Sequence, residues 1–326
     1  MIRPRLTRRG ALQGLAAAAA VRGLGQPASA AEPEALAFLA VGDWGRDGAF
    51  HQREVAAQMG LTAEAVRARF VISVGDNFYD DGVAGVDDPK WRSSFEDVYV
   101  APSLQAPWYV ALGNHDYHGS AQAQVDYTAQ SPRWRMPARW YSRREQAPDG
   151  ATLELFVLDT SPFIRAYADG AENLRLEGQD PAKQLAWLDA ALAASRAQWK
   201  IVVGHHPIWA GGHRGMAELQ AALDPRLHRH GVQLYLNGHN HDLQHLQRDA
   251  VHYVCTGAGS KMDASCELEG SDFCSVRPGF VLASVSRAEI RLAYRDHTGA
   301  TLKVVDIPAH PSTAHPGEGR DPDGKL

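Results

Sequence analysis

Cysteine is scarce, with Cys255, Cys266 and Cys274 the only three in 326 residues, so no disulfide framework can define the fold. Long apolar runs are also missing: the richest, an Ala/Leu stretch of about 13 residues near the start, is too short to span a bilayer. Acidic residues are absent from the first 30 positions, which carry five arginines. The remainder has 28 basic against 38 acidic residues, a formal charge of about −10. That excess argues against non-specific nucleic-acid binding, which needs Lys and Arg to neutralise phosphates. No internal repeat of fixed period occurs.

The arginine-rich start, the apolar run and the small residues Ala28-Ser29-Ala30 predict a signal peptide over residues 1–30. Thr7-Arg8-Arg9-Gly10 has the twin-arginine form that directs export without anchoring; a general secretory signal with chance arginines is the other reading. In an oxidising compartment Cys266 and Cys274 could bridge locally, whereas Cys255, inside the apolar VHYVC, reads as a small buried hydrophobe. The chain is 44% hydrophobic and 22% charged, which is ordinary globular composition. One catalytic domain is expected over residues 31–308. Residues 309–326 are rich in Pro, Gly and charge and read as a disordered tail.

Five short apolar runs end in the same kind of sequence. LAFLAV leads into Gly42-Asp43-Trp44-Gly45, FVISV into Gly75-Asp76-Asn77-Phe78-Tyr79 and WYVAL into Gly113-Asn114-His115-Asp116. WKIVV leads into Gly204-His205-His206-Pro207, and LYL into Asn237-Gly238-His239-Asn240-His241. Runs this brief, bounded by Gly and Asn, are strands rather than helices. Ligands gather beyond the carboxyl ends of strands in open α/β sheets. Taken singly, each glycine reads as a turn, each Asp as a helix cap and each His as a loop residue. Five such clusters in one chain are not independent, and their carboxylate, amide, phenol and imidazole groups suit two metals of unequal hardness.

Between these runs lie helical patterns, clearest over residues 181–198, with Leu185, Leu188, Ala191 and Leu192 on one stripe. Strand and helix alternate, so the fold class is α/β. GFVLASVS, EIRLAYRD and TLKVVDIP follow without an intervening helix and predict an antiparallel meander, hence a mixed sheet or sheet pair.

The ordered set GDWG, VGDNFY, LGNHD, VVGHHP and NGHNHDLQ resembles the metallophosphoesterase superfamily. Tyr79 narrows the resemblance to the purple acid phosphatases, in particular the small, single-domain, tartrate-resistant type 5 enzymes, over residues 36–308. The resemblance implies a four-layer αββα sandwich, two mixed β-sheets flanked by helices, with a dinuclear site at one edge. It implies Asp43, Asp76, Tyr79 and His241 as ligands of Fe(III). Asp76 as the bridge, with Asn114, His205 and His239, would then hold a second divalent ion, Fe, Zn or Mn.

His115 matches the family's proton donor, with Asp116 beside it to orient the imidazole. His213 stands near another active-site histidine of the family, one residue closer to His205 than the pattern requires. His206 replaces an aromatic residue, and His245 has no matched role and reads as structural. The segment 161–180 is either a loop over the site or disordered.

The implied protein is an exported acid phosphatase, periplasmic or secreted and monomeric. It would have no membrane anchor and would hydrolyse small-molecule phosphate monoesters by in-line attack of a metal-bound hydroxide. A phosphodiesterase or nucleotide phosphatase of the same superfamily, and a non-enzymatic iron- or phosphate-binding protein on this fold, are the alternatives.

Overall fold

In the computed structural model, residues 35–213, 215–263 and 265–309 are described. The expected signal peptide and most of the expected tail lie outside them. Fourteen strands occur in chain order: β1 (Leu36–Val41), β2 (Phe70–Ser73), β3 (Trp108–Val110), β4 (Trp134–Arg135), β5 (Tyr141–Gln146), β6 (Thr152–Val157) and β7 (Trp199–Val203). They continue as β8 (Leu234–Asn237), β9 (Leu243–Arg248), β10 (Val251–Thr256), β11 (Phe273–Ser275), β12 (Gly279–Val285), β13 (Glu289–Asp296) and β14 (Thr301–Pro308). The helices are α1 (Gln52–Val66), α2 (Ala121–Asp126), α3 (Arg165–Ala168), α4 (Pro181–Ala194), α5 (Ala217–Ala222) and α6 (Asp224–Arg229).

The strands form two seven-stranded sheets, ordered β14-β13-β12-β1-β2-β3-β4 and β11-β9-β10-β8-β7-β6-β5. Both are mixed: β1 pairs parallel with β2 and antiparallel with β12, while β7 and β8 pair parallel and β9 and β10 antiparallel. The three final strands form the meander that their uninterrupted alternation predicts.

Period-two alternation decides which residues meet between the sheets. In β7, Trp199, Ile201 and Val203 join the inter-sheet core, whereas Val202 faces a second cluster with Leu188 and Leu192 of α4 and Leu219, Leu223 and Leu227 around α5 and α6. Leu234 and Leu236 against Tyr235 repeat the division in β8. Helix α1 packs Val55, Ala56, Met59 and Ala63 into the large core. The result is two mixed sheets flanked by helices, as the resemblance implies.

Helix α4 is capped by Asp180, whose carboxylate accepts from Lys183 N at 3.0 Å. It ends at Ala194, four residues short of the expected end at 198. The Ser195 hydroxyl donates to the buried Glu154 carboxylate at 2.6 Å, and Ser195 takes an extended backbone, so the chain leaves the helix there. Cys266 and Cys274 form a disulfide, and Cys255 is buried and free. Among the described residues, no helix is long and apolar enough to cross a membrane.

Candidate metal centre

All five strand-end sequences converge where the two sheets meet. Sheet one delivers Asp43, Asp76 with Tyr79, and Asn114 just beyond β1, β2 and β3; sheet two delivers His205 beyond β7, and His239 and His241 beyond β8. The turns are sharp: Asp43, Asp76 and His239 have φ of 59°, 51° and 68°. Left-handed backbone at residues other than glycine is uncommon and gathers at functional sites. Two glycines make room for the carboxylates. A Cβ on Gly113 would lie 2.2 Å from Asp76 Oδ1, and one on Gly238 would lie 2.3 Å from Asp43 Oδ2.

The side chains fall into two groups that share one carboxylate. Around the Tyr79 hydroxyl, Asp43 Oδ1 and Asp76 Oδ2 accept at 2.9 Å each, and His241 Nε2 lies 3.0 Å away. In the other group, His205 Nε2 is 3.3 Å from the same Asp76 Oδ2, and His239 Nδ1 is 3.2 Å from Asn114 Oδ1. His205 Nδ1 donates to the Val74 carbonyl at 3.0 Å, which fixes the ring and turns Nε2 toward the carboxylate. That Nε2 is buried, and its contact with the Asp76 carboxylate lacks the geometry of a hydrogen bond.

The electrostatics follow from burial of like charges beside imidazoles. Burial pushes the Asp76 carboxyl up, but His205, His115 and His239 around it hold it well below the usual range on balance. Burial alone would push His205 down, yet Asp76 and Asp43 bring it up to about 9. Burial and then the Asp43 and Asp76 charges push the Tyr79 hydroxyl well above its ordinary value, with Arg46 opposing them. Buried carboxylates are tolerated when paired or when they coordinate metals. The donor set therefore fits two cations: oxygen-rich ligands around Tyr79, mixed nitrogen and oxygen ligands around His205, and one shared carboxylate.

His206 joins His205 and His239, one ring nitrogen of each lying within 4.8 Å of the others. Thr160 excludes it as a third imidazole ligand. The Thr160 hydroxyl oxygen accepts from both the His205 and His206 backbone N–H groups at 3.1 Å, so its own proton goes to His206 Nδ1 at 2.9 Å. The neutral ring then carries its proton on Nε2 and offers no lone pair there.

His115 Nδ1 donates to the Asp80 carbonyl at 2.6 Å, leaving Nε2 as the free end of the ring. Asp116 does not orient this imidazole, contrary to the expectation from their adjacency. Its carboxylate is fully buried and accepts from Gly113 N, Asn77 N, Phe78 N and Gln124 Nε2. It is a fastener between two strand-end turns, and burial with the Asp76 charge raises it to about 6. The side chain of His213 lies outside the described residues. His245 sits on β9, its Nε2 3.0 Å from His252 Nδ1, in keeping with a structural place.

Two participants carry no motif. Glu172, in the 161–180 segment, accepts from Asn114 Nδ2 at 3.1 Å and ties that segment to the site. Arg46 lies with its guanidinium carbon 3.5 Å over the Tyr79 ring. Only its place beside Gly45, three residues past Asp43, could have flagged it.

A family model, calcineurin-like phosphoesterase, matches residues 36–243, and the chain belongs to that family of metal-dependent hydrolases. Within it, the chain is a member of the purple acid phosphatases. It is 38% identical over 281 residues to purple acid phosphatase 4 of Arabidopsis thaliana, covering 82% of each chain. It is 35% identical over 299 residues to tartrate-resistant acid phosphatase type 5 of Oryctolagus cuniculus, covering 84% of this chain and 91% of that protein. Among solved structures it resembles GAP50, the anchor in the inner membrane complex of Plasmodium, with TM-score 0.73 and 26% identity over 86% of this chain and 90% of that one.

Proposed function

We propose that this chain is an exported acid phosphatase that hydrolyses small-molecule phosphate monoesters at a dinuclear centre. Asp43, Asp76, Tyr79 and His241 would hold Fe(III); Asp76, Asn114, His205 and His239 would hold a second ion, Fe, Zn or Mn. The observation that carries the reading is the Asp76 carboxylate shared between the Tyr79 and His205 groups. When bound, two such cations supply Lewis-acid polarisation of a phosphoryl group and a lowered water pKa for in-line displacement.

The chain's own residues supply the rest. His115, with its Nδ1 proton engaged by Asp80, is held to hand a proton from Nε2 to the leaving oxygen of the ester. Glu172 holds the Asn114 amide by its nitrogen, which leaves the amide oxygen facing His239 Nδ1. The fold alone does not carry the activity, since a neighbour of the same fold is described as an anchor; the complete ligand set with His115 favours an enzyme.

The test combines metal analysis with a panel of phosphomonoesters, phosphodiesters and nucleotides. A phenolate ligand to Fe(III) gives a visible charge-transfer band, which Tyr79→Phe should abolish with the fold intact. A metal-replete wild type that is colourless and free of iron would refute the iron–tyrosine reading. Export by the twin-arginine route rests on Arg8 and Arg9, and normal export of an Arg8→Lys/Arg9→Lys variant would sink it.

A further inference from the structure

Arg46 lies over the ring of the proposed phenolate, and its placement is built rather than incidental. The two turns that carry Arg46 and Tyr79 are pressed together: Tyr79 N donates to the Gly45 carbonyl at 2.8 Å. A Cβ on Gly45 would lie 1.8 Å from the Asn77 carbonyl oxygen. Arg46 N donates to Gln52 Oε1 at 3.1 Å, fixing its backbone from the other side.

The guanidinium carbon then stands 3.5 Å from the Tyr79 ring centroid, with the Phe50 ring 5.8 Å away. Its Nε is buried without a hydrogen-bond partner, and its Nη1 meets Asp80 Oδ1 at 3.0 Å. The counter-charge is weak at the ring because the Asp80 side chain is 75% exposed, against 12% for Arg46. Water screens the carboxylate more than it screens the guanidinium.

We infer that Arg46 is a positioning residue that sets the electron-donating power of Tyr79 toward its metal. The inference rests on the iron–tyrosine reading above. A cation over the face of an aromatic ring is attracted to its electron density, and it withdraws that density once the ring carries negative charge. Arg46 thus makes the phenolate a poorer donor, moves its charge-transfer band to shorter wavelength and raises the potential at which the iron is reduced. Outer groups of this kind tune metal sites through charge and hydrogen bonding. Arginine suits the role because its planar, permanently charged head stacks on aromatic rings.

The experiment compares the visible spectrum and iron midpoint potential of the metal-loaded wild type with Arg46→Leu, Arg46→Gln and Arg46→Lys, alongside iron content. Arg46→Leu and Arg46→Gln should shift the band to longer wavelength and lower the potential at unchanged iron content, while Arg46→Lys should lie between them and wild type. An unmoved band and potential in both neutral variants overturn the inference, as does Arg46→Lys moving as far as Arg46→Leu, which would make the effect one of packing. If Arg46→Leu loses iron, Arg46→Gln, which can still bond Asp80, decides by the same criterion. A wild type without any band overturns the iron–tyrosine reading itself, and a band indifferent to Arg46 overturns only this inference.

Discussion

Asp76 Oδ2 accepts from the Tyr79 hydroxyl at 2.9 Å and lies 3.3 Å from His205 Nε2, so one carboxylate oxygen serves both ligand groups. Asp76→Asn should therefore empty both metal positions together. Asn114→Ala, which touches only the group with His239, should empty mainly one. Metal-to-protein ratios measured on both variants separate these outcomes; equal behaviour would break the ligand map.

His115 bonds the Asp80 carbonyl through Nδ1 and the Asp76 carboxylate through its backbone N–H, with its ring outside both ligand groups. His115→Ala should lower turnover by about 10² or more, as loss of an acid–base group does, with metal content near wild type. The loss should be larger for esters with poor leaving groups. Activity unchanged from wild type on both an activated and a poor-leaving-group ester would remove His115 from the proton-donor role.

Glu172 holds the Asn114 amide at 3.1 Å from a loop, on a left-handed backbone of φ 62°. Glu172→Ala should weaken the Asn114-side metal by roughly tenfold or more, in the range seen for groups that orient ligands. Glu172→Gln, which keeps an oxygen acceptor, should weaken it less. Titration of the metal-depleted protein with the second ion is the check.

Asp159, two residues past β6, is fully buried and accepts a hydrogen bond from the Tyr117 hydroxyl. Burial raises its carboxyl from 3.8 to about 7, against the lowering effects of Tyr117 and Arg139. The folded protein thus binds the proton more tightly than the unfolded chain. The stabilising contribution is full below about pH 4 and is lost as pH rises through 7, on the order of 4 kcal/mol over that window. Asp159→Asn should remove this component. Denaturant midpoints of variant and wild type, compared between pH 4 and 8, should diverge with pH; parallel curves would contradict the assignment.

The strand-end residues were legible because their spacing is local. A brief apolar run, a glycine and a ligand-type side chain lie within a few positions of one another, and the sheet brings the five copies to one edge. Roles set by distant contacts were not. Asp116 follows His115 directly, yet its carboxylate turns inward to backbone N–H groups of another turn, which adjacency cannot reveal. Glu172 reaches Asn114 across 58 positions, from a loop with no periodicity to place it. The early end of α4 has the same cause: Ser195 answers to Glu154, 41 residues earlier.

The proposed ligands divide between the sheets, with Asp43, Asp76, Tyr79 and Asn114 on one and His205, His239 and His241 on the other. A cation pair at this seam would act as a rivet between the two halves of the sandwich, and neither half alone holds a complete set for either ion. Loading would then report that both sheets have already docked. Metal capture becomes a checkpoint on assembly, and the loaded protein should resist prying apart of its two layers more strongly than the metal-free one.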